Sequence, residues 1–401
     1  IGNIGNSQYI ANLTIGGAAF KPESSDFRIS SDLWVDGTVP NSSDTGISAS
    51  ISYAIGTAAG NIHTAQANFS DFSVASQAYL QVTDSKSFGA LASEGISGLA
   101  GLGPGFSSVI RNAAGTKGDT LLDNIFQLNK TTSNFITFLL SRNGDPTDTD
   151  QGEFTISQVV AGHENITNQP HLPVNELSGS NRLNQHWTTL LDHIIGPDGK
   201  NIPLSSIVDD TPSGQLVTIL DSGFTFPQVP RKVSDAIYGR VQGANYSVQQ
   251  GMWFIPCGQE LNISVVMGGV TFPIHPLDTS SSDFGFKFAD GTLACAGTFQ
   301  PISTAFSLGG DFDAVLGQSF LRNAYTLLNW GDFVDDTSAA RGQPFIQLQP
   351  LTSQTQAHQD FVNVRLNGVD TTGSSQYKLL SQGKSSPLAS GERVQHIEGF
   401  V

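Results

Sequence analysis

The sequence is poor in charge and poorer still in basic side chains. Charged residues make up 13% of the 401 positions, against roughly 25% in typical soluble domains. Only 19 Lys+Arg stand against 35 Asp+Glu, so the net charge is −16 at pH 7. Nucleic-acid binding depends on basic side chains that neutralise phosphates, and this balance excludes it. Few bases also limit charge repulsion in acid, which suits an acidic medium.

Long apolar runs are absent too. No stretch reaches the roughly 18 apolar residues that a membrane-spanning helix needs, so we expect no membrane partner. Disorder is excluded as well, because 38% of the residues are hydrophobic and 25 of them are Phe. A chain of this length buries a sizeable core, in two domains or one large one.

Cysteine is scarce. Cys257 and Cys295 cannot supply the four ligands of a structural zinc site by themselves, and we expect no metal and no cofactor. A disulfide is favoured if the protein is secreted. Seven glycosylation sequons, together with the acidic balance, indicate secretion: Asn12, Asn41, Asn68, Asn129, Asn165, Asn245 and Asn262. The chain begins at Ile1 without the features of a signal peptide, so we expect any signal peptide or pro-segment to have been removed.

What the sequence does contain is frequent turn residues between short β-prone segments. The 43 Gly and 18 Pro interrupt stretches rich in Val, Ile, Phe and Thr. Apolar and polar residues alternate at 9–15 and 47–53, and less regularly at 216–220. The few helical candidates are short: 119–128, 231–242 and 317–322. The pattern predicts an all-β protein of two lobes.

A weak internal echo supports two lobes. The segment Gly98–Gly103 resembles Ala314–Gly317, since each has apolar pairs that lead into Gly and then into a short predicted helix. The polar stretch 175–186 predicts a boundary. We therefore expect an N-terminal lobe at 1–180, a C-terminal lobe at 181–351 and a C-terminal extension at 352–401, rich in Ser, Gln, Thr and Gly and predicted to form an extended tail.

The most informative segment is Leu216–Gly223, in which an apolar strand leads into Asp221-Ser222-Gly223. Burying a carboxylate requires hydrogen bonds and a partner. Gly223 allows close backbone approach, and the hydroxyls of Ser222 and Thr225 are expected to hydrogen-bond carboxylate oxygens nearby. Taken alone, the segment fits an exposed Asp-Ser-Gly turn better.

Other segments change that balance, because they follow one another in a known order. These are Ser30-Ser31-Asp32-Leu33-Trp34-Val35, Tyr53 in a hairpin-like Tyr-Ala-Ile-Gly, Asp221-Ser222-Gly223, Phe312–Gly317 and Phe320–Thr326. Over about residues 8–350 the chain resembles the pepsin-like aspartic proteases, in particular their secreted fungal members.

The resemblance implies an endopeptidase with two β-barrel-like lobes, a substrate cleft between them and few short helices. Each lobe of such an enzyme offers one aspartate from an Asp-Thr/Ser-Gly turn, and the pair activates a water without any metal. By resemblance, Asp221 is the second-lobe aspartate, Tyr53 lies on the flap with Trp34 near it, and Ser222, Gly223 and Thr225 lie near the substrate. Phe224 stands where the family usually has Thr or Ser.

The resemblance also implies a Cys257–Cys295 disulfide in the second lobe, a zymogen pro-segment, pepstatin-type inhibitors and a monomer. The implied substrate is an extended peptide of about eight residues, with bulky apolar side chains at the scissile bond. The protein would act outside the cell on peptides and proteins at acid pH.

The first catalytic triplet is missing from its expected place. Before Ser30 stand Phe27-Arg28-Ile29, where the family has Asp-Thr-Gly. An Asp-Thr-Gly does occur at Asp44-Thr45-Gly46, but its approach is polar and it follows the Trp34 segment, so we interpret it as a surface turn. Asp26 is the nearest carboxylate, and a bulge would bring it into place.

Three interpretations of this departure stay open. Asp26 substitutes imperfectly, the first lobe lacks its carboxylate, or residues 22–29 as written differ from those of the protein; we favour the third. If the carboxylate is lacking, the alternative function is an inactive homologue that binds peptides. A two-carboxylate glycosidase is remote, because nothing places its second carboxylate. His186 and His275 are expected to be structural or exposed and not metal ligands.

Overall fold

In the computed structural model, the described residues are 1–20, 22–26, 31–53, 56–84, 88–89, 93, 95–142, 144, 152–177, 179–302, 310–334 and 342–386. Short strands dominate, as the Gly- and Pro-punctuated sequence predicts. Those of the first lobe are β1 Gly2–Ile4, β2 Gln8–Ile10, β3 Leu13–Ile15, β4 Ala18–Phe20, β5 Pro22–Asp26, β6 Leu33–Asp36, β7 Ser43–Tyr53, β8 Gly56–Phe69, β9 Phe72–Asp84 and β10 Gly98–Gly101.

These ten strands form one sheet in the order β1-β2-β5-β10-β6-β9-β8-β3-β4, and β7 pairs with β8. The alternating segment 9–15 contains two short strands: β2 ends at Ile10 and β3 begins at Leu13. The break lets the chain leave one side of the sheet and join the other, because β2 pairs with β5 and β3 pairs with β8.

A second sheet joins the two halves of the chain. Its order is β12-β11-β26-β27-β13, so strands that lie far apart in the sequence are neighbours. Its members are β11 Phe135–Leu139, β12 Glu153–Ile156, β13 Leu172–Pro173, β26 Ala324–Asn329 and β27 Phe345–Pro350. We call it the interlobe sheet.

The remaining strands build three sheets of the second lobe, in the orders β14-β16-β25-β17-β24, β15-β20-β21 and β18-β19-β23-β22. Their bounds are β14 Thr188–Leu191, β15 His193–Ile195, β16 Leu216–Leu220, β17 Gln228–Val229, β18 Asn245–Ser247, β19 Met252–Pro256, β20 Ile263–Met267, β21 Val270–Ile274, β22 Ser280–Ser281, β23 Ala294–Gly297, β24 Gln300–Pro301 and β25 Ala314–Leu316. The mainly β architecture is confirmed, although none of the sheets built from described residues closes into a barrel.

Helices are few and short. Those of the described residues are α1 Val109–Ala114, α2 Leu121–Leu128, α3 Arg231–Tyr238, α4 Pro276–Thr279, α5 Gln318–Leu321 and α6 Gln354–Arg365. The three sequence-predicted helices are confirmed as α2, α3 and α5. Within the described ranges, no helix combines the length and apolarity needed to cross a membrane.

The C-terminal segment differs from the extended tail that its composition predicts. It begins with α6, whose Ala357, Phe361 and Val362 are buried against the second lobe. Beyond α6 the chain continues along the same lobe, where the amide of Leu380 donates to the carbonyl of Arg240 at 2.8 Å. Packing of these three apolar side chains on the lobe stabilises α6, although its polar composition alone does not predict a helix.

Candidate active site

Asp221 directly follows a fully buried strand of the second lobe. All five residues of β16 are buried, and β16 runs parallel to β25 with Leu220 opposite Leu316. The side chain of Asp221 is 0% exposed. Its amide donates to the Leu316 carbonyl at 3.0 Å, and the Gly223 amide donates to its Oδ1 at 2.8 Å. A strand thus delivers the carboxylate, and the turn that follows supplies a donor to it.

The residues after β25 hold this turn. A Cβ on Gly317 would lie 2.2 Å from the Phe224 carbonyl oxygen, so only glycine permits the approach. The Gln318 amide donates to that carbonyl at 2.7 Å, and Gln318 Nε2 donates to the Ser222 carbonyl at 2.7 Å. Because backbone groups of Phe224 make these contacts, its side chain need not be Thr or Ser.

Thr225 has a different role from the one expected. Its hydroxyl donates to the Ser7 carbonyl at 3.5 Å, and Gln318 Nε2 also reaches that carbonyl, at 3.1 Å. The expected bond from Thr225 to a carboxylate is therefore replaced by a contact with the N-terminal segment. This contact joins the Asp221 turn to the first residues of the chain.

The first lobe has a corresponding pair of parallel strands. β5 runs parallel to β10, with Leu99 opposite Glu23 and Gly101 opposite Asp26. The register shifts between these pairs, so β5 contains one residue more than β10 there. Gly101 matches Gly317 in the internal echo, so the backbone of Asp26 has the register position in β5 that Asp221 has after β16. The side chain of Asp26 and residues 27–30 lie outside the described residues.

Asp32 links the β5–β10 strand pair of the first lobe to α1. Its carboxylate, 2% exposed, accepts hydrogen bonds from Ser108 Oγ and from the amides of Val109 at 2.9 Å and Ile110 at 3.0 Å. Its carbonyl accepts from the Gly101 amide at 2.8 Å. Sequence analysis missed this role, because only the fold brings the start of α1 to Asp32. An aspartate before an apolar strand was the one available signal.

Trp187 connects the two pairs of parallel strands, β5–β10 and β16–β25. It is fully buried, its Nε1 donates to the Leu102 carbonyl at 3.2 Å, and its own carbonyl accepts from the Leu220 amide at 3.0 Å. Leu102 follows Gly101, and Leu220 precedes Asp221. Trp187 therefore contacts β16, which leads to Asp221, and the residue that follows β10, the strand paired with β5. Nothing in its local sequence indicates this.

Trp34 and Tyr53 are brought together, as the resemblance implies. Tyr53 is the last residue of β7 and pairs with Gly56, the first residue of β8, and Trp34 lies in β6. Phe88 stands between them, with ring centroids 4.9 Å from Trp34 and 5.8 Å from Tyr53. This aromatic cluster packs at the end of the β7–β8 hairpin where the two strands are joined. Sequence analysis missed Phe88, because its neighbours carry no pattern.

The triplet Asp44-Thr45-Gly46 is an exposed part of β7. It coincides with a register shift in the β7–β8 pairing. The Gly46 amide donates to Asp44 Oδ1 at 2.8 Å, and Asn61 Nδ2 donates to Oδ2 at 3.2 Å. These two hydrogen bonds lower the pKa of Asp44. The triplet is thus an exposed strand irregularity whose hydrogen bonds stay within its own hairpin.

Of the other predicted positions, the disulfide is confirmed: Cys257 and Cys295 are bonded, with their Cα atoms 5.0 Å apart. Asn245 is only 2% exposed in β18, so the folded lobe leaves no room for a glycan there. Asn68 is half-buried in β8, and the remaining five sequons are exposed: Asn12, Asn41, Asn129, Asn165 and Asn262.

The two histidines singled out in the sequence are both buried. His186 lies beside Phe312, with ring centroids 6.4 Å apart, and His275 Nδ1 accepts from the Leu277 amide at the start of α4. In the part of the chain that the structure describes, no three His, Cys, Asp or Glu side chains are grouped as metal ligands would be.

Comparison with known proteins gives relatives of one kind. The chain is 25% identical to major aspartyl peptidase 1 of Cryptococcus neoformans var. grubii over 343 residues, which are 79% of this chain and 66% of the relative. It is 25% identical to a probable aspartic-type endopeptidase of Arthroderma benhamiae (41% of this chain, 38% of the relative). It is 32% identical to the probable aspartic-type endopeptidase opsB of Aspergillus fumigatus (27% and 21%).

The chain therefore spans two thirds or less of the length of these curated relatives. The family model for eukaryotic aspartyl proteases matches residues 36–334, which include β16, the Asp221 turn, β25 and the β7–β8 hairpin. The match covers most of the chain and agrees with its mainly β fold, so the chain belongs to the eukaryotic aspartyl protease family.

Proposed function

We propose that the chain is a secreted aspartic endopeptidase that hydrolyses peptide bonds at acid pH, with a water held between Asp221 and Asp26. The observation that carries the proposal is the matched register of two parallel strand pairs. Asp221 follows β16 beside β25, and Asp26 ends β5 opposite Gly101 of β10. Family membership and the names of the relatives support the same activity.

In the proposed mechanism, two carboxylates about 3 Å apart cannot both be ionised, so they share one proton and titrate as a pair. The ionised member takes a proton from water as the water oxygen attacks the peptide carbonyl carbon, and the protonated member donates to the carbonyl oxygen. Breakdown of the tetrahedral diol cleaves the C–N bond, and the amine nitrogen receives the proton. No covalent acyl-enzyme forms.

The residues around Asp221 support this role. The Gly223 amide stabilises the ionised carboxylate, and a buried strand end keeps the carboxylate in one position. Tyr53, at the end of the β7–β8 hairpin and next to Trp34 and Phe88, suits a flap that closes over an extended peptide. Ser222, Gly223 and Thr225 would line the path of that peptide.

Secretion and an acid working pH rest on separate observations. Five sequons are exposed, one disulfide is formed and the net charge is −16 at pH 7. The first lobe also buries Asp123, whose pKa burial raises to about 7. A carboxyl group that stays neutral below this pH favours the folded state in acid.

The second candidate function is a peptide-binding homologue without turnover. It is favoured by one observation, the Phe27-Arg28-Ile29 that stands where the family has Asp-Thr-Gly. The matched register of Asp26 argues against it, because the strand still presents a carboxyl-bearing residue opposite Gly101.

Cleavage of a denatured protein substrate between pH 2.5 and 6, with and without pepstatin, tests the proposal. We expect pepstatin-sensitive cleavage that Asp221→Asn lowers by about a thousandfold or more, since this change removes one half of the acid–base pair. Peptide mass spectrometry across residues 22–29 verifies that segment in the same preparation. A folded protein that binds pepstatin and cleaves nothing would contradict the enzyme and support the binding homologue.

A further inference from the structure

A cavity of about 580 Å³ adjoins the Asp221 turn on the side of the N-terminal segment. Ser7 and Thr225 form its edge nearest the turn, and these two residues are joined by the hydrogen bond described above. Phe226 and Phe284 form an apolar wall, with ring centroids 5.7 Å apart. The cavity therefore continues the surface over which an extended peptide would pass.

The far wall of the cavity comes from α6. Val364 and Arg365, the last two residues of that helix, line it. The family match ends at residue 334, so these side chains belong to a segment beyond the matched region. A wall supplied from outside the matched region gives this chain a feature that the common fold does not dictate.

Arg365 is a largely buried cation whose hydrogen bonds go to neutral groups. Its Nη1 donates to Cys295 Sγ at 2.6 Å and its Nη2 donates to the Ser280 carbonyl at 2.9 Å. Among the residues that the structure describes, no carboxylate lies within 4.0 Å of the guanidinium. Burial lowers the pKa of Arg365, and the charge of Asp283 opposes this effect. A buried cation without an ion pair is costly, and an anion beside it offsets that cost.

The other charged side chains that line the cavity do not neutralise the charge of Arg365. Arg142 and Arg322 both bind Asp278, so this group of three carries one net positive charge. Among the described residues of the lining, Asp283 is the remaining carboxylate, and it faces Arg365. These described residues together carry a net positive charge, in a chain whose overall charge is −16 at pH 7.

We propose that this cavity binds an acidic side chain of the peptide substrate and that Arg365 is the residue which selects it. The inference rests on the proposed function, because the peptide must lie across Ser7 and Thr225 to reach the cavity. An aspartate or glutamate side chain would pass the apolar wall with its methylenes and place its carboxylate near the guanidinium. Charge-assisted hydrogen bonds of this kind are the strong ones.

The test measures binding, so that it does not depend on turnover. A labelled peptide substrate and versions with Glu or Gln at each position in turn are titrated into the Asp221→Asn protein at about pH 5.5, where a glutamate side chain is ionised. We expect one position at which Glu binds about tenfold more tightly than Gln. Adding Arg365→Gln should remove this preference, so that the Glu and Gln peptides bind with similar affinity.

Two further variants guard the interpretation. Asp283→Asn removes the competing carboxylate and should increase the preference for Glu. Arg231→Gln removes an exposed arginine that lies outside the cavity and should change nothing.

No preference for Glu at any position, or a preference that survives Arg365→Gln, would overturn the proposal. If Arg365→Gln does not fold, an unchanged preference in Asp283→Asn overturns it instead. Absence of cleavage by the unmodified protein would contradict the endopeptidase and not the cavity, because the binding comparison is made on a variant designed not to turn over.

Discussion

Each of the two lobes places a candidate aspartate at the end of one strand of a parallel pair, but the local sequences of the two lobes differ. In the second lobe the strand is Leu216–Leu220, buried throughout, and the turn is Asp-Ser-Gly. In the first lobe the strand is Pro22–Asp26, with the polar sequence Pro-Glu-Ser-Ser-Asp and a register shift against β10. The comparison shows that pairing with a neighbouring strand fixes the position of a residue even where its own strand carries no apolar pattern.

The lobes differ again in how they treat a fully buried carboxyl group. In the first lobe Asp123 stands in α2, and burial raises its pKa to about 7 despite the nearby charge of Arg111. Asp278 stands in α4, where burial alone would raise its pKa, but Arg142 and Arg322 hold that pKa well below its usual range. One group is neutral in acid, and the other is ionised and paired.

The largest expected effect on stability comes from removing the buried carboxylate that is paired with two arginines. Asp278→Ala leaves two buried guanidinium groups without their carboxylate, and we expect a loss of about 3–5 kcal/mol in the free energy of unfolding by urea. The matched change at an exposed pair, Asp198→Ala beside Arg240, should cost less than about 1 kcal/mol. Equal losses in the two variants would show that burial does not decide the energy of the pair.

The disulfide gives the next effect. Cys257 and Cys295 are 38 residues apart, and closing a loop of this length is worth about 4 kcal/mol in the chain-entropy description. Replacing both by Ser should lower the melting temperature and leave cleavage unchanged at low temperature, because the hydrogen bonds that hold the Asp221 turn are made by Leu316, Gly223 and Gln318. Loss of turnover in a protein that circular dichroism shows to be folded would contradict a purely structural bond.

The unpaired carboxyl group of the first lobe predicts a pH dependence. The pKa of Asp123 is about 7 in the folded chain, against 3.8 for the free group, so the folded state binds more protons between these values. Its contribution to stability is therefore complete below about pH 4 and is lost as the pH rises to about 7.

Asp123→Asn should remove this pH-dependent loss, which is about 4 kcal/mol for a shift of about three pKa units, measured by urea unfolding at several pH values. The exposed Asp71→Asn in the same lobe serves as the control and should keep the slope of the unmodified protein. The same slope in Asp123→Asn would mean that another group causes the dependence.

The smallest effect is expected at the exposed triplet. Asp44→Asn should leave both cleavage and stability unchanged, because the hydrogen bonds of Asp44 stay within the β7–β8 hairpin. A large loss of activity in this variant, with Asp26→Asn active, would transfer the first-lobe role from Asp26 to Asp44.

Much of the second-lobe site was predictable because its signals are local. An apolar strand before Asp221-Ser222-Gly223 predicts both the strand and the turn, and the Cys257–Cys295 pairing follows from the resemblance. The same holds for α2 and α3, whose bounds lie close to those predicted.

The remainder depends on contacts that no local pattern encodes. Asp32 binds the start of α1, Trp187 joins Leu102 to Leu220, and Phe88 separates Trp34 from Tyr53 only once the sheets are assembled. The helix α6 was missed because its composition is polar, although the spacing of Ala357, Phe361 and Val364 was a signal that could have revealed it.

The measurement that tests the account most directly is the turnover number of Asp26→Asn, set beside that of Asp221→Asn in the same acid cleavage assay. If Asp26 and Asp221 form one carboxylate pair, both variants should lose about a thousandfold or more in kcat while still binding pepstatin. Full activity in Asp26→Asn, with Asp221→Asn inactive, would contradict the pairing of these two residues.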